Sequence, residues 1–294
     1  MEERRDSMKA VGQPAPAVLP ARLLDAFPVS AASFVVTLYG DVVAPRGGEL
    51  WTGNIIETLA TLDIAESRVR TALSRLVAAD RLEGTKSGRR SYYRLTPAAE
   101  AEFESAARLI YAPVEPPPLR GWHLVALTDA DREAATLALR RQRFGFAMPD
   151  LALLPDRGVP LPPLPGSRFV ATTADDLGSL LAGAWPLEAL AARMRVFIDR
   201  FDALEVGGLA PTLVLGLRLL LVHAFRDIAL RDPLLPPALL PPDWPGREAR
   251  ALFARLYRAL SPGAEAVVAA RLRNRSGLLP LDRRRLQRRF QQAA

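Results

Sequence analysis

The stretch Leu50–Leu95, LWTGNIIETLATLDIAESRVRTALSRLVAADRLEGTKSGRRSYYRL, constrains the chain more tightly than any other. Ile55, Leu59 and Leu62 recur at helical spacing from Trp51–Thr61 onward, and Val69, Ala72, Leu73, Leu76 and Val77 form a second apolar stripe within Glu66–Ala79. Only Leu62-Asp63-Ile64 connects the two segments, so the helices they predict must turn sharply against each other. Next, Arg81–Thr85 and Ser91–Leu95 flank Lys86-Ser87-Gly88-Arg89-Arg90. Tyr92, Tyr93 and Leu95 favour a pleated strand, and a glycine between two such runs predicts a hairpin.

Helix, turn, helix, hairpin is the order of a winged helix-turn-helix, which lays its second helix in a DNA groove. At about 100° per residue, the face of Glu66–Ala79 opposite the apolar stripe holds Ser67, Arg70, Thr71 and Ser74, with Arg68 and Arg75 on its shoulders. Arginine matches guanine O6/N7 bidentately, and the hydroxyls suit bases or phosphates. Lys86, Arg89 and Arg90 at the hairpin tip suit backbone or minor-groove contact. The plain alternative is a solvated helix face beside a surface hairpin. Ala65 stands at the expected N-cap of the second helix and is a poor one, with Ser67 a partial substitute.

Residues 1–22, with Pro14, Pro16 and Pro20, predict a disordered arm, and order is expected from Leu23. Ala31–Leu38 predicts a buried helix ending near Gly40 as its C′ residue, with a strand as the alternative, and Pro45–Gly48 a loop. Thr96-Pro97 opens a helix to about Tyr111: threonine caps it and proline takes the first position. PVEPPP, Pro113–Pro118, is a stiff linker and the clearest boundary. Beyond it, Trp122–Leu127 reads as strand, Ala130–Arg143 as helix, Phe144–Leu154 as irregular extended chain, Pro155–Pro165 as loop and Arg168–Thr173 as strand. Leu187–Leu204, Leu213–Leu230 and Arg247–Leu260 read as helices, with a proline-rich excursion before the last, and Arg271–Ala294 as a frayed or disordered basic tail. The expected division is an arm (1–22), a winged helix-turn-helix (23–112), a linker (113–118), an α+β middle domain (119–178), a helical C-terminal domain (179–262) and a basic tail (263–294).

A formal charge of +7 favours a polyanionic partner. The bias is in arginine, with Lys9 and Lys86 the only lysines, but GC-rich coding also inflates arginine, so position must decide. No cysteine and two histidines leave no thiol chemistry and no His- or Cys-rich metal site, and neither a catalytic set nor a resident cofactor is expected. The longest apolar run, Leu213–Ala224, is interrupted by Gly216 and Arg218, and the N-terminus has no signal-type core, so no membrane span is expected and the location read is cytoplasmic.

In LVHAFRDIALRD, Leu221–Asp232, His223 and Asp227 sit at i,i+4, but no nucleophile or phosphate loop accompanies them. Core packing and ion pairing is the simpler reading. A cationic pocket for an acidic ligand, held by Arg226 or Arg231, is the functional one. Trp122, Trp185 and Trp244 are aromatic candidates for stacking on a ligand or for the core.

The segment SFVVTLYGDVV, the Leu50–Leu95 stretch, the Trp122–Leu127 strand and LLLVHAFRDIALRDPLLPPALLPPDWPG together resemble the PaaX-type repressors of bacterial phenylacetic-acid catabolism, from about Ser33 to Leu260. The resemblance implies an α+β multidomain protein: an N-terminal winged helix-turn-helix, a ferredoxin-like middle domain similar to that of Cas2 nucleases, and a helical C-terminal domain. It implies a homodimer on a palindromic double-stranded DNA operator, released by phenylacetyl-CoA or a related acyl-CoA thioester. It places the recognition helix at Glu66–Ala79 and the wing at Leu82–Tyr93. His223, Arg226 and Arg231 fall in the family's C-terminal block and, with Trp185, are the candidate effector residues. A regulator answering another acidic ligand is one alternative. A DNA-targeted nuclease is the other, although Asp129, with Asp131 beyond it, lacks an evident metal-binding partner.

Overall fold

A computed structural model describes residues 24, 25, 27, 30–127, 132–171, 183–207, 209–280 and 289–291. The predicted arm, Asp129, Asp131 and residues 281–288 and 292–294 of the basic tail lie outside the described residues.

Helix α1 (Ala31–Leu38) begins at Ser30, whose hydroxyl accepts from the Ser33 N–H at 3.1 Å. It does not stop at Gly40. The backbone continues through a π-helical turn, Tyr39–Val43, and a 3₁₀ turn, Ala44–Arg46, and reaches the left-handed region at Gly47 (φ 91°). Gly40 serves close packing instead: a Cβ there would sit 3.3 Å from the Phe103 ring. Strand β1 (Glu49–Trp51) leads into α2 (Thr52–Ala60) and α3 (Glu66–Ala78), and Asp63 takes the left-handed turn between them (φ 58°). Ala65 caps α3 without a side-chain hydrogen bond, as its chemistry requires. The stripe of α3 is narrower than its sequence suggests. Val69, Ala72 and Leu73 are buried and Leu76 is half-buried, but Val77 is 40% exposed because it lies about 90° round from the stripe's centre.

Strands β2 (Leu82–Ser87) and β3 (Arg90–Leu95) pair from Leu82↔Leu95 to Ser87↔Arg90, leaving Gly88-Arg89 as a two-residue loop. Gly88 has φ 59°, the positive value such a turn needs at its first position. β1 adds to the other side of β3. Helix α4 (Pro97–Ile110) starts with the Ala99 N–H donated to the Thr96 hydroxyl at 3.2 Å.

Beyond the linker, β4 (Gly121–Ala126), α5 (Arg132–Arg141), β5 (Gly145–Met148), β6 (Leu151–Asp156) and β7 (Ser167–Ala171) build an antiparallel sheet of order β5-β6-β4-β7. The segment expected to be irregular is thus a strand pair. Pro155 belongs to β6, opposite Trp122, instead of to a loop. β5 reaches only to Leu153, so Pro155 lies where β6 has a neighbour on one side only, a place where a strand tolerates a missing N–H. Alternation sends Val125, Ala152 and Leu154 to the α5 face, and Trp122 and Leu153 to a second core with Trp185 and Leu235.

Helices α6 (Leu187–Phe201), α7 (Pro211–Ala229) and α8 (Gly246–Arg271) follow. α8 passes through Pro262, where the sequence predicts an end. The buried residues Ala264, Val267 and Val268 extend its stripe beyond the proline, and that packing outweighs a penalty of about 3 kcal/mol. The tail then turns through a short hairpin, β8 (Arg273–Asn274) and β9 (Gly277–Leu278), with Leu272, Leu279 and Phe290 buried, so its described parts are packed and not frayed. α1–α4 and α6–α8 share one hydrophobic core, while the middle sheet keeps its own two. The units separated in sequence by the linker and the sheet therefore meet again in space.

Candidate nucleic-acid interface

The face of α3 predicted to read DNA points to solvent. Ser67, Arg68, Arg70, Thr71, Ser74 and Arg75 are all exposed. Arg70 is held by Glu66 one turn earlier at 2.7 Å, and the Thr71 hydroxyl donates to the Ser67 carbonyl at 2.9 Å. Lys86, Arg89 and Arg90 are exposed around the β2–β3 loop. Among the described residues, no carboxylate pairs with Arg68, Arg75, Lys86 or Arg89, so these charges are available to an external anion.

Trp51, which the sequence reading counted only as a helix start, organises this surface. The Arg90 guanidinium lies 5.0 Å from the centre of its ring. The indole also covers Gly53, where a Cβ would come within 2.5 Å of it. The Thr52 hydroxyl donates to the Ser91 carbonyl at 2.7 Å. The hairpin is thereby fastened to the start of α2. The available signal was an aromatic immediately before Thr-Gly at a helix start.

The candidate effector residues do not converge. Trp185 is buried against Gly145, and its Nε1 donates to the Arg143 carbonyl at 2.9 Å, so it is core. Arg231 is exposed and donates to the Asp227 carbonyl at 2.7 Å, and the Asp227 carboxylate takes both Arg231 and Arg193. His223 stacks on Phe34 with centroids 4.0 Å apart, and its Nδ1 lies 3.3 Å from the Thr37 hydroxyl. Arg226 donates to the Ser33 hydroxyl at 2.8 Å. Both thus bind α1. An open cleft of about 490 Å³ lies elsewhere, lined by Asp202, Trp244, Arg247, Glu248, Leu252 and Arg255.

These contacts continue into the most buried charges among the described residues. Ser33, Thr37 and Asp41, four residues apart, meet Arg226, His223 and Arg218 in reverse order, a polar ladder between antiparallel elements. Arg218 is wholly buried, with Nε 2.9 Å from Asp41 Oδ2 and Nη1 2.8 Å from Glu265 Oε1. The Nε–Oδ2 pair is close enough to be an ion pair but not aligned as a hydrogen bond, and among the described residues Arg218 Nη2 has no hydrogen-bond partner. Arg46 joins Glu265 from the other side. Asp41 Oδ1 accepts from Tyr111 at 2.6 Å, Tyr257 at 2.8 Å and Arg289 at 2.6 Å. Burial alone would raise the Asp41 pKa, but Arg218, Arg289 and the Tyr111 hydroxyl override it and hold the carboxyl below its ordinary value. Burial would lower the Arg218 pKa, and Asp41 and Glu265 reverse that. Sequence reasoning saw Arg218 only as a break in an apolar run. One arginine inside such a run is itself a sign of a buried partner.

Fold and site define a class: two short helices joined by a tight turn and followed by a hairpin, with exposed cations on the second helix and the hairpin, built onto a helical body. Residues 30–99 match the family model described as PaaX-like protein, and residues 185–270 that of the PaaX-like protein C-terminal domain. Over 284 residues the chain is 32% identical to the transcriptional repressor PaaX of Escherichia coli (strain K12), covering 87% of this chain and 89% of that one. The chain belongs to the PaaX-like family. Among solved structures, the uncharacterized protein Rv0674 from Mycobacterium tuberculosis matches with a TM-score of 0.50, covering 81% of this chain and 98% of that one at 22% identity, a likeness of fold alone.

Proposed function

We propose that the chain is a transcriptional repressor of phenylacetate-type catabolic genes, with α2, α3 and the β2–β3 hairpin forming a winged helix-turn-helix and α3 entering the major groove. The observation that carries this reading is the outward face of α3, where six polar or cationic residues share one exposed surface beside a cationic hairpin. The middle sheet supports a ferredoxin-like unit, since its order β5-β6-β4-β7 follows from strand–helix–strand–strand–strand with a loop in place of the second helix. The domain limits proposed are 23–112, 119–178 and 179–262, the first and last joined through their common core.

Repression by a homodimer on a palindromic operator fits a two-fold arrangement of α3 helices. The edge strand β7 leaves Phe169 and Val170 59% and 56% exposed, an apolar edge suited to a second chain. The proposed effector is phenylacetyl-CoA or a related acyl-CoA. The cleft beside Trp244 has the size of a small-molecule site, with Arg247 and Arg255 for phosphate. His223 and Arg226 are then proposed to carry the response as contacts on α1, with Arg231 at the end of the same helix. Among the described residues, no group of three or more His, Asp or Glu side chains is placed to hold a metal ion. Among the described residues, no helix is long and apolar enough to cross a membrane.

The test is selection of duplexes from a random library by the full chain, followed by release from the selected duplex in a panel of CoA thioesters and free aryl acids. A sequence-preferring duplex released by one thioester is expected. Failure to select any sequence refutes the repressor reading, and selection without release by any thioester refutes only the effector class.

A further inference from the structure

The β8–β9 hairpin lies beyond both matched family regions. Its position is set by the reading head itself. The Asn54 amide, at the third residue of α2, donates to the Arg271 carbonyl at 3.2 Å and accepts from the Arg273 N–H at 2.9 Å. Glu49, on β1, receives the Arg275 N–H at 3.1 Å and its guanidinium at 2.8 Å. Leu272 and Leu279 are buried in the shared core on either side of the hairpin. It is therefore fixed at both ends, beside the start of α2.

In a helix-turn-helix the first helix crosses the duplex backbone while the second enters the groove. The start of α2 is flanked by Arg90 of the β2–β3 hairpin, through Trp51, and by Arg271 and Arg273 of the C-terminal segment, through Asn54. Arg275 and Arg94 share the single carboxylate of Glu49. Among the described residues, the side chains of Arg271 and Arg273 pair with no carboxylate; the first is exposed and the second half-buried. We infer that this segment is a second phosphate contact of the DNA interface, with Arg271 and Arg273 supplying the charge and Asn54 positioning them. The inference rests on the DNA-binding reading above. The partner is the duplex backbone, since two unpaired guanidiniums beside a backbone-crossing helix offer charge without a base-reading surface.

The test uses the full chain and a labelled duplex of arbitrary sequence, with affinity followed against salt. Arg271→Ala/Arg273→Ala is expected to lower the slope of log K against log salt by about 1.8, so that the affinity loss between about 50 and 200 mM shrinks roughly twelvefold. The ratio of affinities for a selected and an arbitrary duplex stays unchanged, because phosphate contacts carry no sequence information. Asn54→Ala is expected to reduce the slope similarly with every cation retained, whereas simple loss of folded protein lowers affinity equally at all salt concentrations. An unaltered slope in the double arginine variant, alongside a reduced slope in Arg89→Ala/Arg90→Ala, overturns the hairpin contact and leaves the DNA reading standing. Absence of salt-dependent binding by the unsubstituted chain overturns both.

Discussion

Replacing Asp41 with Asn tests whether the buried charge cluster holds α1–α4 to the helical body. The side chains are nearly isosteric, so the change removes charge with little change of volume. Arg218 and Arg289 each lose a carboxylate partner, and Arg218 is wholly buried. Breaking a buried ion pair from one side costs about 3–5 kcal/mol, and because Arg218 keeps Glu265 the lower end, about 3 kcal/mol, is expected. At roughly 2 °C per kcal/mol for a chain of this size, the melting temperature falls by about 6 °C. The pH dependence gives a second reading. A carboxyl whose folded pKa is depressed contributes stability that is complete above its unfolded pKa, about 3.9, and is lost as pH falls through the folded value. The gap between the Asn variant and the parent should therefore be constant from about pH 7 to 5 and close only below about pH 4. Urea unfolding of both proteins across that range measures it. A cost under about 1 kcal/mol, or a gap that already narrows between about pH 7 and 5, refutes the assigned role. In a double-mutant cycle, Arg218→Met should cost less in the Asp41→Asn background than alone, since its partner charge is already gone.

Arg70→Ala should lower affinity for a selected duplex by about 1–3 kcal/mol and relax preference at one position; equal losses on selected and arbitrary duplexes would make Arg70 a phosphate contact. Arg89→Ala/Arg90→Ala should reduce the salt slope by about 1.8, and an unchanged slope removes the hairpin tip from the interface. A truncate lacking residues 113–294 exposes the faces of Phe34, Val35, Leu38 and Val42 and strips Asp41 of Arg218, so it should bind a hydrophobic dye and show no cooperative melt. A sharply melting, DNA-binding truncate would refute the shared core.

Much of the candidate interface was legible in local pattern. The periodicity of Glu66–Ala79 located both its buried stripe and its polar face, because a helix's geometry converts spacing into direction without outside help. Thr96-Pro97 and Gly88 marked a helix start and a hairpin turn, since those conformations are encoded by the residues that adopt them. Where local signals misled, packing had overruled them. Gly40 resembles a helix end but accommodates Phe103, and Pro262 resembles a breaker but lies in a stripe whose burial outweighs its cost.

The sequence by itself determined α3 with its buried stripe and exposed cationic face, and the cationic hairpin beside it, all properties of contiguous segments. Only the tertiary structure decided that His223 and Arg226 clasp α1, that Trp185 is core, and that Asp41 meets Arg218, Glu265 meets Arg46, and Asn54 holds the chain at Arg271–Arg273. Except for Trp185 and Arg143, those pairs join residues well over a hundred positions apart, and no periodicity within either segment records the other. A buried charge announces that a partner exists, but which partner is settled when the helices pack.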